Sequence, residues 1–137
     1  MGDFTTTLKI AAGGLQAQSA RMRVISENLA NVDSAGRTPE EDPFRRRIPT
    51  FKAVFDREMG AYNVQLGRMA VDSSEFETRY EPGHPAANEQ GFVKYPNINS
   101  LIELADMREA QRSYEANLNI IRSSRAMFGQ TLDILRG

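Results

Sequence analysis

Apolar residues recur every seven positions at both ends of the chain. Near the N-terminus they fall at Leu8, Leu15, Met22 and Leu29, with Ala11, Gln18, Ile25 and Val32 three residues after each. Alternating steps of three and four place both sets on one helical stripe, and a held period of 3.5 is the coiled-coil pattern. The pattern predicts a helix from about Asp3 to Val32, started by Asp3 or Thr5 and stopped by Ser34-Ala35-Gly36, with Pro39 beyond. Near the C-terminus the row is Met107, Tyr114, Ile121, Phe128 and Leu135, with Leu104, Leu118 and Leu132 beside it and Gln111 and Arg125 interrupting the second row. A second amphipathic helix is therefore expected over 97–136, roughly 55 Å long. Asn97 or Asn99 would cap it, and Glu103 and Asp106 sit near the positive end of its dipole.

The intervening stretch differs in kind. Between Gly36 and Pro96 lie all six prolines of the chain, and short runs alternate apolar with polar or small residues. These are Phe51–Phe55, Asn63–Leu66, Phe76–Tyr80 and Gly91–Tyr95; the last can return to pair with Phe76–Tyr80 across a Pro- and Gly-containing loop. The expected architecture is mainly α with a small antiparallel β element. Three segments follow: an N-terminal helix over 1–35, a β- and loop-rich middle over 36–96, and a C-terminal helix over 97–137. The two long helices would meet as an antiparallel, coiled-coil-like pair.

That pair is thin. Gln18 is polar at a seam position, and Gly13-Gly14 sits inside the first helix, where each Gly costs ~1 kcal/mol relative to Ala. Ala11, Ala12, Ala17 and Ala20 lie nearby, so small residues cluster beside the seam and allow close approach of a neighbouring helix. One pair of helices has one interface, and helices gain most of their stability from packing partners. The terminal helices are therefore expected to order fully only on assembly.

Composition narrows the chemistry. The 137 residues suit one domain, and the absence of Cys excludes disulfides, thiolate metal sites and thiol catalysis. A net charge of -1 gives no bulk attraction for nucleic acid or an anionic membrane, and it lowers the barrier to self-association. No run of ~18 apolar residues exists to span a membrane, and the opening residues lack the form of a cleavable secretory signal. The single His, His84, sits in a turn-like Pro82-Gly83-His84-Pro85. Ser113 and Ser123 have no base arranged to activate them, and Gly13-Gly14 lacks the flanks of a phosphate loop. Glu40-Glu41-Asp42 reads as a solvated turn. Arg45-Arg46-Arg47 follows it at once and reads as a salt-paired loop rather than a nucleic-acid face. No catalytic residue, metal, cofactor, nucleic acid or small-molecule substrate is expected.

A family resemblance enters through ordered stretches. Gly14-Leu15-Gln16-Ala17-Gln18 followed by Arg21 through Asn31, ending Glu27-Asn28-Leu29-Ala30-Asn31, resembles the N-terminal signature of the flagellar axial proteins of rod and hook. Asp42-Pro43-Phe44-Arg45-Arg46-Arg47 and Gly83 through Asn99 are similar to the proximal rod branch of that family. Met107-Arg108-Glu109-Ala110-Gln111-Arg112-Ser113-Tyr114-Glu115-Ala116-Asn117 resembles its C-terminal helix motif. Residues 50–76 match no such motif.

The resemblance implies a structural subunit of the proximal rod, in the periplasmic part of the flagellar basal body. Such proteins are exported unfolded through the flagellar type III apparatus, and their terminal helices form an inner tube around the export channel. It implies copies of the chain, other rod proteins, and the membrane-embedded base and export apparatus as partners. The expected helix-packing residues are Leu8, Leu15, Met22, Ile25, Leu29 and Asn31 on one side. On the other they are Leu104, Met107, Tyr114, Asn117, Leu118, Ile121, Phe128, Leu132 and Leu135. Phe44, Arg45, Arg46, Arg47 and His84 become candidate subunit contacts. The competing expectation is a coiled-coil adaptor or export chaperone that binds a single partner.

Overall fold

The computed structural model describes residues 2–137. Helix α1 runs Gly2–Ala30 and helix α2 runs Ser100–Arg136. Between them lie β1 (Arg47–Ile48), β2 (Phe51–Asp56), β3 (Ala61–Leu66), β4 (Ala70–Val71), β5 (Glu77–Tyr80) and β6 (Phe92–Tyr95). The strands form three antiparallel pairs, β1 with β4, β2 with β3 and β5 with β6. The chain is mainly α with small sheets, as the periodicity predicts. The β5–β6 pairing is also the one expected from the sequence, in the register Glu77↔Tyr95 to Tyr80↔Phe92. The β1–β4 pair is two residues long, too short for alternation to announce it.

Local chemistry sets the element ends. The amide of Asn31 donates to Glu27 O (2.8 Å) and its Oδ1 accepts from the Ser34 hydroxyl (3.0 Å), so the signature asparagine closes α1. Asn99 caps α2, with Oδ1 accepting from the N–H groups of Leu101 and Ile102. At the β2–β3 turn, Asp56 Oδ1 accepts from the Glu58 and Met59 N–H groups, and Gly60 takes φ +66°. The β5–β6 connection closes through Asn88, whose Oδ1 accepts from the Gln90 and Phe92 N–H groups, beside Gly91 at φ +87°. Both glycines occupy backbone conformations that a side chain disfavours.

The residues fall into two compact units. The first holds Met1–Met22, Thr50–Arg68 and Arg108–Gly137; the second holds Arg23–Pro49 and Met69–Met107. In the first, α1 and α2 run antiparallel. Phe4 stacks on Phe128 with centroids 4.8 Å apart, a Cβ on Gly14 would lie 2.7 Å from Asn117 Nδ2, and Arg21 reaches Glu109 at 3.6 Å. The β2–β3 hairpin completes this unit, with Phe55 and Tyr62 paired edge to face across it.

In the second unit Ala86, Val93 and Tyr95 form a buried cluster, with Ala35 and Ala87 against it. Val24, Ile25 and Ile98 are also buried here. Tyr95 donates from its hydroxyl to Glu81 (2.7 Å), which satisfies the polar end of a buried ring.

Candidate functional site

The expected helix-packing residues divide by burial. In the first unit Leu8, Leu15, Met22, Tyr114, Asn117, Leu118, Ile121, Phe128 and Leu132 are all half-buried, and Leu135 is 76% exposed. In the second, Ile25 is buried, Leu29, Asn31 and Met107 are half-buried, and Leu104 is 53% exposed. Leu104 and Leu135 are therefore mostly uncovered by the described residues. On α2 the fully buried position beside the Met107 row is Ala110, with Asn117 and Ser124 half-buried at the following seven-residue steps. A small or polar row thus runs three residues after the first, beside the half-buried Leu118 and Leu132.

The paired glycines explain why small residues win. Asn63 of β3 lies directly over Gly13, and Asn117 of α2 lies over Gly14. Two neighbouring glycines therefore admit asparagines from two different elements. Ala11, Ala17 and Ala20 are buried on the same helix, whereas Ala12 is exposed. Glycine and alanine let the backbones approach, at the cost of a thin interior.

In the second unit the Arg45–Arg47 run is tied down within the chain. Arg46 bonds through Nε to Glu103, which is 1% exposed, and reaches Asp72 at 3.5 Å and Asp106 at 3.7 Å. Burial alone would lower the Arg46 pKa; the Glu103 hydrogen bond and charge, then Asp72, outweigh it and hold it above its ordinary value. The backbone of Arg46 donates to Asn97 Oδ1 (2.8 Å), and the Asn97 amide donates to the carbonyls of Asp72 and Ser74. Asn97, one of two candidate caps, thus spends its side chain on this loop instead.

Arg45 donates to the same two carbonyls and lies 4.0 Å from the Phe76 ring centroid. Arg47 pairs with Glu27 (3.6 Å) and sits over Phe44. The peptide of Arg47 is bracketed by Asn28, whose amide donates to its carbonyl (2.9 Å) and whose Oδ1 accepts from its N–H (3.0 Å). His84 is half-buried in the β5–β6 connection, its Nδ1 accepting from the Ala86 N–H at 3.0 Å.

These elements carry the marks of a known family. The stretch 8–36 matches a model described as flagella basal body rod protein, and 89–134 matches flagellar basal body rod FlgEFG protein C-terminal. The flagellar basal-body rod protein FlgC of Agrobacterium fabrum is 47% identical over 99% of this chain and 98% of its own length. The chain belongs to the FlgC family of flagellar basal-body rod proteins. The FlgC proteins of Borreliella burgdorferi and Salmonella typhimurium are 39% and 32% identical, over 100% and 91% of this chain and 100% and 92% of their own lengths.

Within this FlgC family chain, the two matched stretches contain every expected packing residue except Leu135. The Arg45–Arg47 loop and His84 lie outside both. Asn28 and Glu103, each 1% exposed, were not among the expected site residues. The available signal was a polar residue beside an apolar helix row, inside the Glu27-Asn28-Leu29-Ala30-Asn31 signature for Asn28 and next to Leu104 for Glu103. Periodicity scores such residues as exposed, and only the partner loop reveals why they are not.

Proposed function

We propose that the chain is a structural, non-enzymatic subunit of the proximal part of the flagellar rod. It assembles with copies of itself and with other rod proteins through its terminal helices, which surround the export channel and transmit torque. Its place is the periplasmic stretch of the basal body, reached through the flagellar export apparatus. The 1–35, 36–96 and 97–137 segments act as inner helix, outer insert and inner helix.

One observation carries the reading. In the first unit the fully buried hydrophobic residues are Ala11, Ala17, Ala20 and Ala110, while Ile120, Met127, Ile134 and Leu135 of α2 are 44%, 65%, 79% and 76% exposed. A buried Ala contributes about 0.8 kcal/mol, as one CH₂ does, against about 1.5–3 for a buried Leu or Ile. A helix pair that half-buries its seam and leaves a further row of large residues exposed is completed by neighbours. The exposed row at 120, 127 and 134 is a second seven-residue row on α2, so more than one face needs a partner.

An adaptor with a single partner is tested against this directly. Leu15→Asp and Ile121→Asp change the intramolecular seam, and Met127→Asp changes the exposed row. A rod subunit loses motility with all three substitutions while the protein is still made. An adaptor tolerates Met127→Asp, and normal swimming in that variant overturns the rod reading.

A further inference from the structure

The β2–β3 hairpin is turned inside out. Its register pairs Phe51 with Leu66, Ala53 with Val64 and Phe55 with Tyr62 on one face. On the other, Lys52 meets Gln65, Val54 meets Asn63 and Asp56 meets Ala61. A sheet with one packed face usually packs the apolar one. Here the more polar face turns to the rest of its unit: Asn63 lies over Gly13 of α1, and Val54, Asp56, Ala61 and Asn63 are half-buried. The apolar face turns outward. Phe51, Phe55, Tyr62, Val64 and Leu66 are between 37% and 65% exposed, and Ala53 is exposed among them. Phe55 and Tyr62 meet edge to face within this patch. Six contiguous exposed apolar side chains, with no charge among them, mark an interaction site.

We propose that this outward face receives the apolar stripe of one helix from a different protein of the rod assembly. Its shape fits that occupant. Six-residue strands are ~20 Å long, the rise of about 13 helical residues, and two strands with their side chains are ~10 Å wide, as one helix is. Its charge argues against a lipid surface. Arg57 at the turn is offset by Glu58, and Lys52 lies on the opposite face. That leaves Arg68 beyond the far end, and one cation is worth about 1 kcal/mol at an anionic membrane. Its area argues against two copies stacked hairpin to hairpin: a footprint of ~200 Å² is well short of the ~800 Å² per partner in a stable interface. The contact is therefore one among several that hold the subunit. The stretches matching the rod models, 8–36 and 89–134, leave the hairpin out, so it serves a contact apart from those of the shared helices. The inference rests on the rod reading and adds to it a site and the class of partner it takes.

Photo-crosslinking in the flagellated host tests it. With p-benzoylphenylalanine in place of Tyr62, irradiation should join this face to a helical segment of a different protein. That segment should carry apolar residues at i, i+3 or i+4, and i+7. A crosslink to another copy of this chain, to lipid or to a segment without that stripe overturns the proposal, as does the absence of any crosslink. Substitutions give an independent reading. Phe55→Asp with Tyr62→Asp abolishes motility, because a carboxylate buried without a partner is strongly disfavoured. Phe55→Leu with Tyr62→Leu keeps the face apolar and swims. Normal swimming of the Asp pair, or loss in both pairs, overturns the proposal. Circular dichroism of each purified full chain checks that helix content is unchanged. Leu15→Asp separates the two ideas. If it leaves swimming intact, the rod reading falls; if it abolishes swimming and the Asp pair does not, only the hairpin contact falls.

Discussion

The two compact units solve burial in opposite ways. The unit containing Val24, Ile25, Val93, Tyr95 and Ile98 buries these apolar residues and ties its loops with a polar network. Asn28 holds a peptide, Asn97 holds three backbone groups, and Arg46 gathers three carboxylates. The unit containing Phe4, Leu15, Ile121 and Phe128 fully buries alanines and glycine, half-buries its seam residues and leaves Ile120, Met127, Ile134 and Leu135 exposed. The first arrangement specifies its own shape. The second leaves its apolar surface for partners to complete, which suits a subunit whose final packing is made in an assembly.

The largest effect should come from breaking the network. Arg46→Met leaves Glu103 buried without its cation. Glu103 Oε2 already lacks a hydrogen-bond partner among the described residues, so both oxygens would then be orphaned. Removing one partner of a buried pair costs about 3–5 kcal/mol. Urea unfolding should show that loss, and hydrogen exchange should place the lost protection in β5 and β6. An Arg46→Met protein within about 1 kcal/mol of the parent would mean that water serves the carboxylate, and that Arg46 is a surface residue in energetic terms.

A glycine pair sharpens the other side of the comparison. Gly14 and Gly129 are both helical, yet a Cβ at Gly14 would lie 2.7 Å from Asn117 Oδ1, while one at Gly129 meets nothing within 4 Å. Gly129→Ala should therefore stabilise the chain by up to ~1 kcal/mol, the ordinary helical gain. Gly14→Ala should lose that gain and more, for a net destabilisation of about 1 kcal/mol. The double variant Gly14→Ala, Asn117→Ala should recover it. Thermal unfolding of the parent, Gly14→Ala, Asn117→Ala and the double variant measures the coupling, with Gly129→Ala as the control. Equal behaviour of the two glycines would show that α1 and α2 do not approach at Gly14.

Much of this was legible in sequence because it is periodic. Two heptad rows gave both helices to within a few residues, and alternation gave β2, β3, β5 and β6. What stayed hidden was whatever depends on a partner far along the chain. Ala110, not Leu104, is buried on α2, because the close approach of the helices favours a methyl over an isobutyl group. Asn28 looks like a polar break in an apolar row until the peptide of Arg47 is laid beside it. The Arg45–Arg47 run reads as salt-paired in sequence, and its partners, from Asn28 in α1 to Glu103 and Asp106 in α2, supply the detail.

The smallest effect is on pH, and it separates the units by their reliance on carboxylates. Hydrogen bonds from the Ser74 N–H and hydroxyl, then the charge of Arg46, hold Asp72 below the usual carboxylate pKa. A depressed folded-state pKa contributes stability that is fully present above the unfolded value of about 3.9 and is lost as pH falls from there through the folded value. The parent should therefore lose its advantage over Asp72→Asn as pH drops below ~4, with a constant difference above about pH 5. Urea unfolding at a series of pH values measures the gap. A gap that widens in acid would reverse the sign and mean that the unfolded chain, rather than the network, holds Asp72 ionised.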